Sequence, residues 1–98
     1  MKLRRLARPF FIRRVSGRSM EPNLHQGSYV LVSSLLKPKV KKVVVIEHMG
    51  INKIKRIIEI SGDNVIVAGD NLAYSTDSRN FGPIDINMII GTVILPRL

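Results

Sequence analysis

The chain has no cysteine, so a disulfide scaffold and a thiolate metal site are both excluded. That absence leaves the compartment open, since cytosolic and exported proteins can both lack cysteine. Its two histidines, His25 and His48, lie far apart without ligand-like spacing, so no metal and no cofactor are expected. No apolar run approaches the roughly 20 residues that a spanning helix requires. The basic amino end carries Leu3, Leu6, Phe10 and Phe11 but lacks the apolar core of about 7–15 residues that marks a secretory signal. The expected location is the cytoplasm, and the basic, Phe-containing end suits weak peripheral contact with an anionic membrane. Acids are also scarce: seven against sixteen lysines and arginines, a formal charge of +9.

The charge is unevenly placed. Lys2, Arg4, Arg5, Arg8, Arg13, Arg14 and Arg18 come with no acid among them, and Lys37, Lys39, Lys41 and Lys42 form a second cluster. Such a field attracts nucleic acid, anionic membrane or acidic proteins, and it also keeps a small protein soluble. A basic β-barrel that binds nucleic acid without catalysis is therefore the alternative reading. Single-strand binders stack bases on aromatic platforms, and here Phe10, Phe11, Phe81, Tyr29 and Tyr74 are few and mostly scattered. Nucleic acid is disfavoured on that ground.

Ninety-eight residues make one domain, 1–98, divided into a basic amino-terminal segment over 1–14 and a core over 15–98. The core reads as strands. Tyr29–Val32, Val43–Ile46 and Val65–Ala68 are short β-branched runs, Ile51–Ile60 is longer, and Met88–Leu95 closes the chain. Turn signals separate them, among them Met49-Gly50, Ser61-Gly62-Asp63-Asn64 and Gly69-Asp70-Asn71. This spacing predicts an all-β, mostly antiparallel domain. Only Lys2–Ala7 has a helical cast. Gly-Asp-Asn occurs at 62–64 and again at 69–71, and the plain expectation is two strand-end turns with Gly and Asn at positive φ. Residues 71–83 form a polar, irregular loop of a length that is often functional. Within it Asp77 and Arg79 are placed to pair.

Ser19, in SGRSMEPNL, has the chemistry of a nucleophile only if a base activates it. Its surroundings do not match the G-x-S-x-G elbow, and His48 is expected at a hairpin turn, so a Ser-His-Asp triad is a poor fit. A neutral lysine can serve, but at an ordinary pKa fewer than about one in a thousand is neutral at pH 7. Burial lowers that pKa. Lys53 and Lys55, set among isoleucines, are the candidates. Strict alternation places both on one face with Ile57 and Glu59, which does not mark Lys55 as buried. An irregularity near Lys53–Arg56 would remove the conflict.

Three stretches in order, SMEPNL (Ser19–Leu24), IKRIIEISGD (Ile54–Asp63) and GDNLAYSTDSRNFG (Gly69–Gly82), resemble the type I signal peptidase class of Ser/Lys peptidases. The resemblance covers about residues 15 to 92. It implies a folded, mostly antiparallel sheet or partly closed barrel of the signal peptidase and LexA-like peptidase type. It implies that Ser19 is the nucleophile, Lys55 the general base and Ser75 the hydroxyl that orients the lysine. Asp77 and Arg79 would brace the site together with the Gly69-Asp70 stretch. Met20 would help shape the substrate pocket, and the Ser19 N–H would join the oxyanion hole. Pro22 and Tyr29–Leu31 are candidates for the pocket wall, although core packing accounts for them equally.

Val15–Pro22 and Ser75–Pro83 are most similar to the short proteases that mature nickel-type superoxide dismutase. The implied partner is a protein or peptide bound as an extended strand, whose leader or propeptide is removed. There are departures: Asn23 replaces the usual Thr, Ser61 replaces Pro, and Lys41-Lys42 stands where Gly-Asp often precedes the third strand.

Overall fold

A computed structural model describes residues 9–98. The expectation of a helix at Lys2–Ala7 lies outside them. Among the described residues seven strands run in one antiparallel sheet: β1 (Phe10–Arg14), β2 (Tyr29–Ser33), β3 (Val43–His48), β4 (Ile51–Ser61), β5 (Asn64–Ala68), β6 (Ile84–Asp85) and β7 (Ile89–Leu95). Their order is β1-β2-β7-β3-β4-β5-β6. The class is all-β as the strand-rich sequence predicts, and the sheet stays open, with β1 and β6 as its edges.

β3 lies at the centre of that order, and its sequence VVVIEH explains why. Val43 and Val45 enter one apolar cluster while Val44 and Ile46 enter another. A strand buried on both faces reads as a continuous β-branched run rather than an alternating one. The first cluster joins Val30, Val32 and Val93 of the sheet to Val15, Met20 and Leu24. These last three anchor the 15–28 connection across that face. The second cluster joins Ile57, Val65, Val67 and Ile84, with Phe81 and Ile86 packed against it. Phe81 ends a single helical turn, α1 (Ser78–Phe81), inside the 71–83 loop.

Two hairpins frame β4. Between β3 and β4 only Met49 and Gly50 intervene, with φ of 52° and 77°. Positive φ at both central positions matches the twist of the flanking strands. At the far end Gly62 and Asp63 connect Ser61 to Asn64. β4 pairs with β3 in unbroken register from Val43↔Arg56 to His48↔Ile51. Its irregularity lies further on, between Ile57 and Glu59 where it pairs with β5. That shift returns Ile60 to the cluster containing Ile57. The expected break at Lys53–Arg56 is therefore not there, and Lys55 keeps the face of Ile57.

Two short strands carry no clear periodic signal. β1 falls in the segment set apart as the basic amino end, yet Phe10–Arg14 pair with β2 from Phe10↔Ser33 to Arg14↔Tyr29. β6 is only Ile84-Asp85. Lys41, standing where the resemblance expects glycine, adopts φ 75°. A side chain tolerates this left-handed conformation only at some cost, and contacts hold it here. Lys41 N–H donates to the Ile57 carbonyl at 2.8 Å, and its own carbonyl accepts from Arg56 Nη1 at 2.7 Å.

Candidate active site

Lys55 is 4% exposed despite its charge. Its strand neighbour across the ladder is Val44, itself fully buried. The loop that follows β5 supplies its polar contact. Lys55 Nζ donates to Ser75 Oγ at 2.9 Å. The Ser75 hydroxyl donates in turn to Asp77 Oδ2 at 2.6 Å and accepts the Gly69 N–H at 3.1 Å. Its own proton and both acceptor positions are thus committed. It can hold the amine in place but has no capacity left to take a proton from it.

Asp77 is fully buried and receives many donors. Besides Ser75, the Gly69 N–H reaches Oδ2 at 3.0 Å, while the Arg79 N–H and Nε reach Oδ1 at 3.1 and 2.9 Å. Arg79 is pinned at its other end by the Leu72 carbonyl, 2.8 Å from Nη2. Asp77 also caps α1, and its N–H donates to Asn80 Oδ1 at 3.2 Å. Burial alone would raise the Asp77 pKa. The Arg79 guanidinium, the Ser75 hydroxyl and the two backbone N–H groups outweigh it and hold the carboxyl far below the usual range.

The Lys55 pKa is likewise pushed down from its ordinary value. Desolvation is the main cause; Asp77 opposes it, and the positive charges of Lys53 and Arg79 add to it. Asp77 does not prevail because the desolvation of the ammonium outweighs its attraction.

The second Gly-Asp-Asn, at 69–71, is not a positive-φ turn: Asn71 has φ −103°, and Gly69 does not adopt positive φ. Each of its residues ties the site together instead. Gly69 is needed for close approach, because a Cβ there would collide with the Ser75 side chain and the Ser19 carbonyl oxygen. Asp70 accepts Arg56 Nε and Nη2, both at 2.8 Å, and Asn23 Nδ2 at 2.8 Å. It thereby joins β4 to the loop after Ser19. Asn71 N–H donates to the Ser19 carbonyl at 2.7 Å, and its Nδ2 donates to the Arg18 carbonyl at 3.2 Å. Arg56, Asn71 and Asn23 escape the sequence reading. Asn23 does so because it registers only as a departure from the usual Thr, although an amide can donate to Asp70 where a shorter hydroxyl has less reach.

Ser19 and Lys55 line one cleft of about 380 Å³. Ser16, Gly17, Arg18, Tyr74 and Thr76 line it from the two loops, Val45 and Ile51–Ile54 from the hairpin, and Arg13 and Arg14 from β1. Met20 and Pro22 are not among its walls. Met20 is 1% exposed and packs into the first cluster, where it anchors the Ser19 loop, and Pro22 faces solvent. Tyr29–Leu31 also lie elsewhere, in β2. Among the described residues no group of histidines and acids is placed to hold a metal ion, and no helix is long and apolar enough to cross a membrane.

The chain is similar to three mitochondrial inner-membrane proteases. It is 30% identical to the mitochondrial ATP-independent inner membrane protease subunit 1b of Arabidopsis thaliana, over 80% of this chain and 64% of that protein. It is 32% identical to the mitochondrial inner membrane protease subunit 1 of Xenopus tropicalis, over 74% and 49%. It is 38% identical to the subunit 1 of Schizosaccharomyces pombe, over 41% and 37%. The chain thus spans between about two-fifths and two-thirds of the length of these relatives. The Peptidase S24-like family model matches residues 3–94, a span that takes in the sheet and both loops of the cleft. With nearly its whole length covered, this chain belongs to the Peptidase S24-like family.

Proposed function

We propose that the chain is a serine endopeptidase in which Ser19 is the nucleophile and Lys55 its general base. The observation that carries this reading is a buried amine, held by a hydroxyl, in the cleft that Ser19 lines. A neutral lysine amine has two N–H bonds and one lone pair. One N–H is engaged by Ser75, which fixes the amine and leaves the lone pair as the only basic site. That lone pair takes the Ser19 proton as the hydroxyl oxygen attacks the scissile carbonyl. The resulting ammonium gives its proton to the leaving amine. The neutral Lys55 amine then deprotonates a water whose oxygen attacks the acyl carbonyl, and as the bond to Ser19 Oγ breaks the Lys55 ammonium returns its proton to that oxygen, restoring both groups.

The oxyanion donor in this scheme is the Ser19 N–H. The trans peptide directs that N–H opposite to the Arg18 carbonyl, and Asn71 Nδ2 holds the carbonyl. Ser75, Asp77, Arg79, Gly69 and Asp70 support the site rather than touch the reacting atoms. The substrate would be a protein or peptide bound in extended form, from which a leader or propeptide is removed. The similarity of Val15–Pro22 and Ser75–Pro83 to the proteases that mature nickel-type superoxide dismutase makes that enzyme's precursor a specific candidate. The relatives are named as inner membrane proteases, which keeps contact of the basic amino end with an anionic membrane within the proposal.

The test is cleavage of a library of N-terminal leader peptides by the wild type, Ser19→Ala and Lys55→Ala between about pH 6 and 10. Activity is expected in the wild type alone, rising with pH as Lys55 loses its proton. Full activity in both variants would refute the assignment.

A further inference from the structure

Among the described residues four cations besides Lys55 line the cleft, Arg13, Arg14, Arg18 and Lys53, and no carboxylate does. Three of them rest on aromatic rings. The Arg13 guanidinium lies 4.5 Å from the Phe11 ring centre, Arg18 lies 4.4 Å from that of Tyr74, and Lys53 Nζ lies 4.9 Å from that of Phe81. A ring face orients a cation without neutralising it. Only Arg18 also has an acid, Glu21, at 3.0 Å. Arg13, Arg14 and Lys53 form no ion pair among the described residues. The cleft thus holds unmet positive charge at Arg13, Arg14 and Lys53, two of which, Arg13 and Lys53, are held on ring faces.

We infer that the cleft selects a peptide segment carrying carboxylates within about two or three residues of the bond to be cut. The inference rests on the peptidase reading above and names its substrate class. Lys53 and Lys55 are two apart on one face of β4, about 7 Å along the strand. A substrate extended beside them has the same repeat. A side chain two residues from the one at Ser19 therefore comes level with Lys53. Arg13 and Arg14 extend the positive wall beyond it. A peptide is a better occupant than a nucleic acid strand, because Phe11, Tyr74 and Phe81 already carry cations and Phe81 also stacks on His48 at 4.2 Å. Stacking on bases needs open ring faces.

The experiment measures binding separately from cutting. The Ser19→Ala chain is titrated by fluorescence anisotropy with a labelled peptide whose small central residues are flanked by aspartates. Twins carry asparagine or lysine at those positions. The aspartate peptide is expected to bind about tenfold more tightly than the asparagine twin at low salt. The lysine twin should bind most weakly. The gap should close near about 1 M salt, where screening acts within about 3 Å. Combining Arg13→Gln with Lys53→Gln should remove most of it, and Lys39→Gln, exposed and outside the cleft, should leave it.

Equal binding of the three peptides would overturn the inference. So would a loss at Lys39→Gln as large as that of the cleft variants, which would trace the preference to the net charge alone. Displacement of the peptide by a tighter-binding single-stranded oligonucleotide, with the same dependence on Lys53, would assign the cleft to nucleic acid instead. The wild type then reports on the earlier reading. An acidic preference without cleavage sinks the peptidase and leaves the preference standing, and cleavage without preference does the reverse.

Discussion

At the scale of single residues, Lys55 and Asp77 both hydrogen-bond to the Ser75 hydroxyl and both have lowered pKa values, with opposite physical origins. Desolvation lowers Lys55 by penalising its charged form, and hydrogen bonds lower Asp77 by favouring its charged form. Both make the fold weaker towards acid. For Lys55 the unfolded chain binds more protons in the window between the lowered folded value and the ordinary 10.5, so stability rises with pH across it. Below that window the buried ammonium is carried at full cost. Asp77 contributes stability that is present above the ordinary carboxylate range and is lost as pH falls towards its folded value.

Lys55→Met is therefore expected to abolish cleavage while raising the thermal midpoint near about pH 6 by about 4–8 °C, the equivalent of about 1 kcal/mol in a domain of this size. The advantage should shrink as pH climbs through the window. A midpoint difference that stays constant with pH would contradict the account. The burial behind this was not legible in INKIKRII, because alternation only assigns Lys55 to a face. What covers that face is the loop at 69–77, far along the chain.

At the scale of elements, the strands were the legible part. All five expected segments appear within two residues of their predicted bounds; Met88–Leu95 differs only in that β7 starts at Ile89. β1 was hidden because FFIRR mixes aromatic and cationic residues in a segment read by its charge. β6 was hidden because two residues show no period. The 69–71 segment shows the limit more sharply. Its composition is that of a turn, and the other copy at 62–64 is one. What separates the two is their neighbours: the first has only its own hairpin, and the second meets the Ser19 loop. Asn71 is the clearest case, since it contacts two consecutive peptide groups of that loop.

Asn71→Ala keeps the backbone donor to Ser19 and removes only the bond to the Arg18 carbonyl. It should lower kcat by about ten- to a hundredfold, less than outright loss of an oxyanion donor. The pH profile should stay unchanged, since the Lys55 environment is untouched. Steady-state kinetics across pH would show it; full activity, or a profile that moves with the rate, would count against the clasp.

At the scale of the whole molecule, charge is the dominant unbalanced quantity. Of seven acids, Glu21, Asp70 and Asp77 are committed to ion pairs with Arg18, Arg56 and Arg79. The remaining four stand against a much larger number of cations, several of them crowded at Lys37–Lys42 and in the cleft. The described residues span 39 × 29 × 23 Å. At about 0.01 M salt the screening length is about 30 Å, so nearly every cation repels every other; at about 0.1 M it is about 10 Å, and only neighbours do. Self-repulsion of this kind destabilises the compact state. The ion pairs respond in the opposite sense, but Asp77 is fully buried and Asp70 largely so, and buried pairs are screened much less. The thermal midpoint at neutral pH should therefore rise with sodium chloride across this range, by about 4–8 °C if the relief is about 1 kcal/mol. A differential scanning measurement decides it. A midpoint that fell with salt would mean that the ion pairs outweigh the repulsion, and the positive charge in the cleft would then have to be partly neutralised within the fold itself.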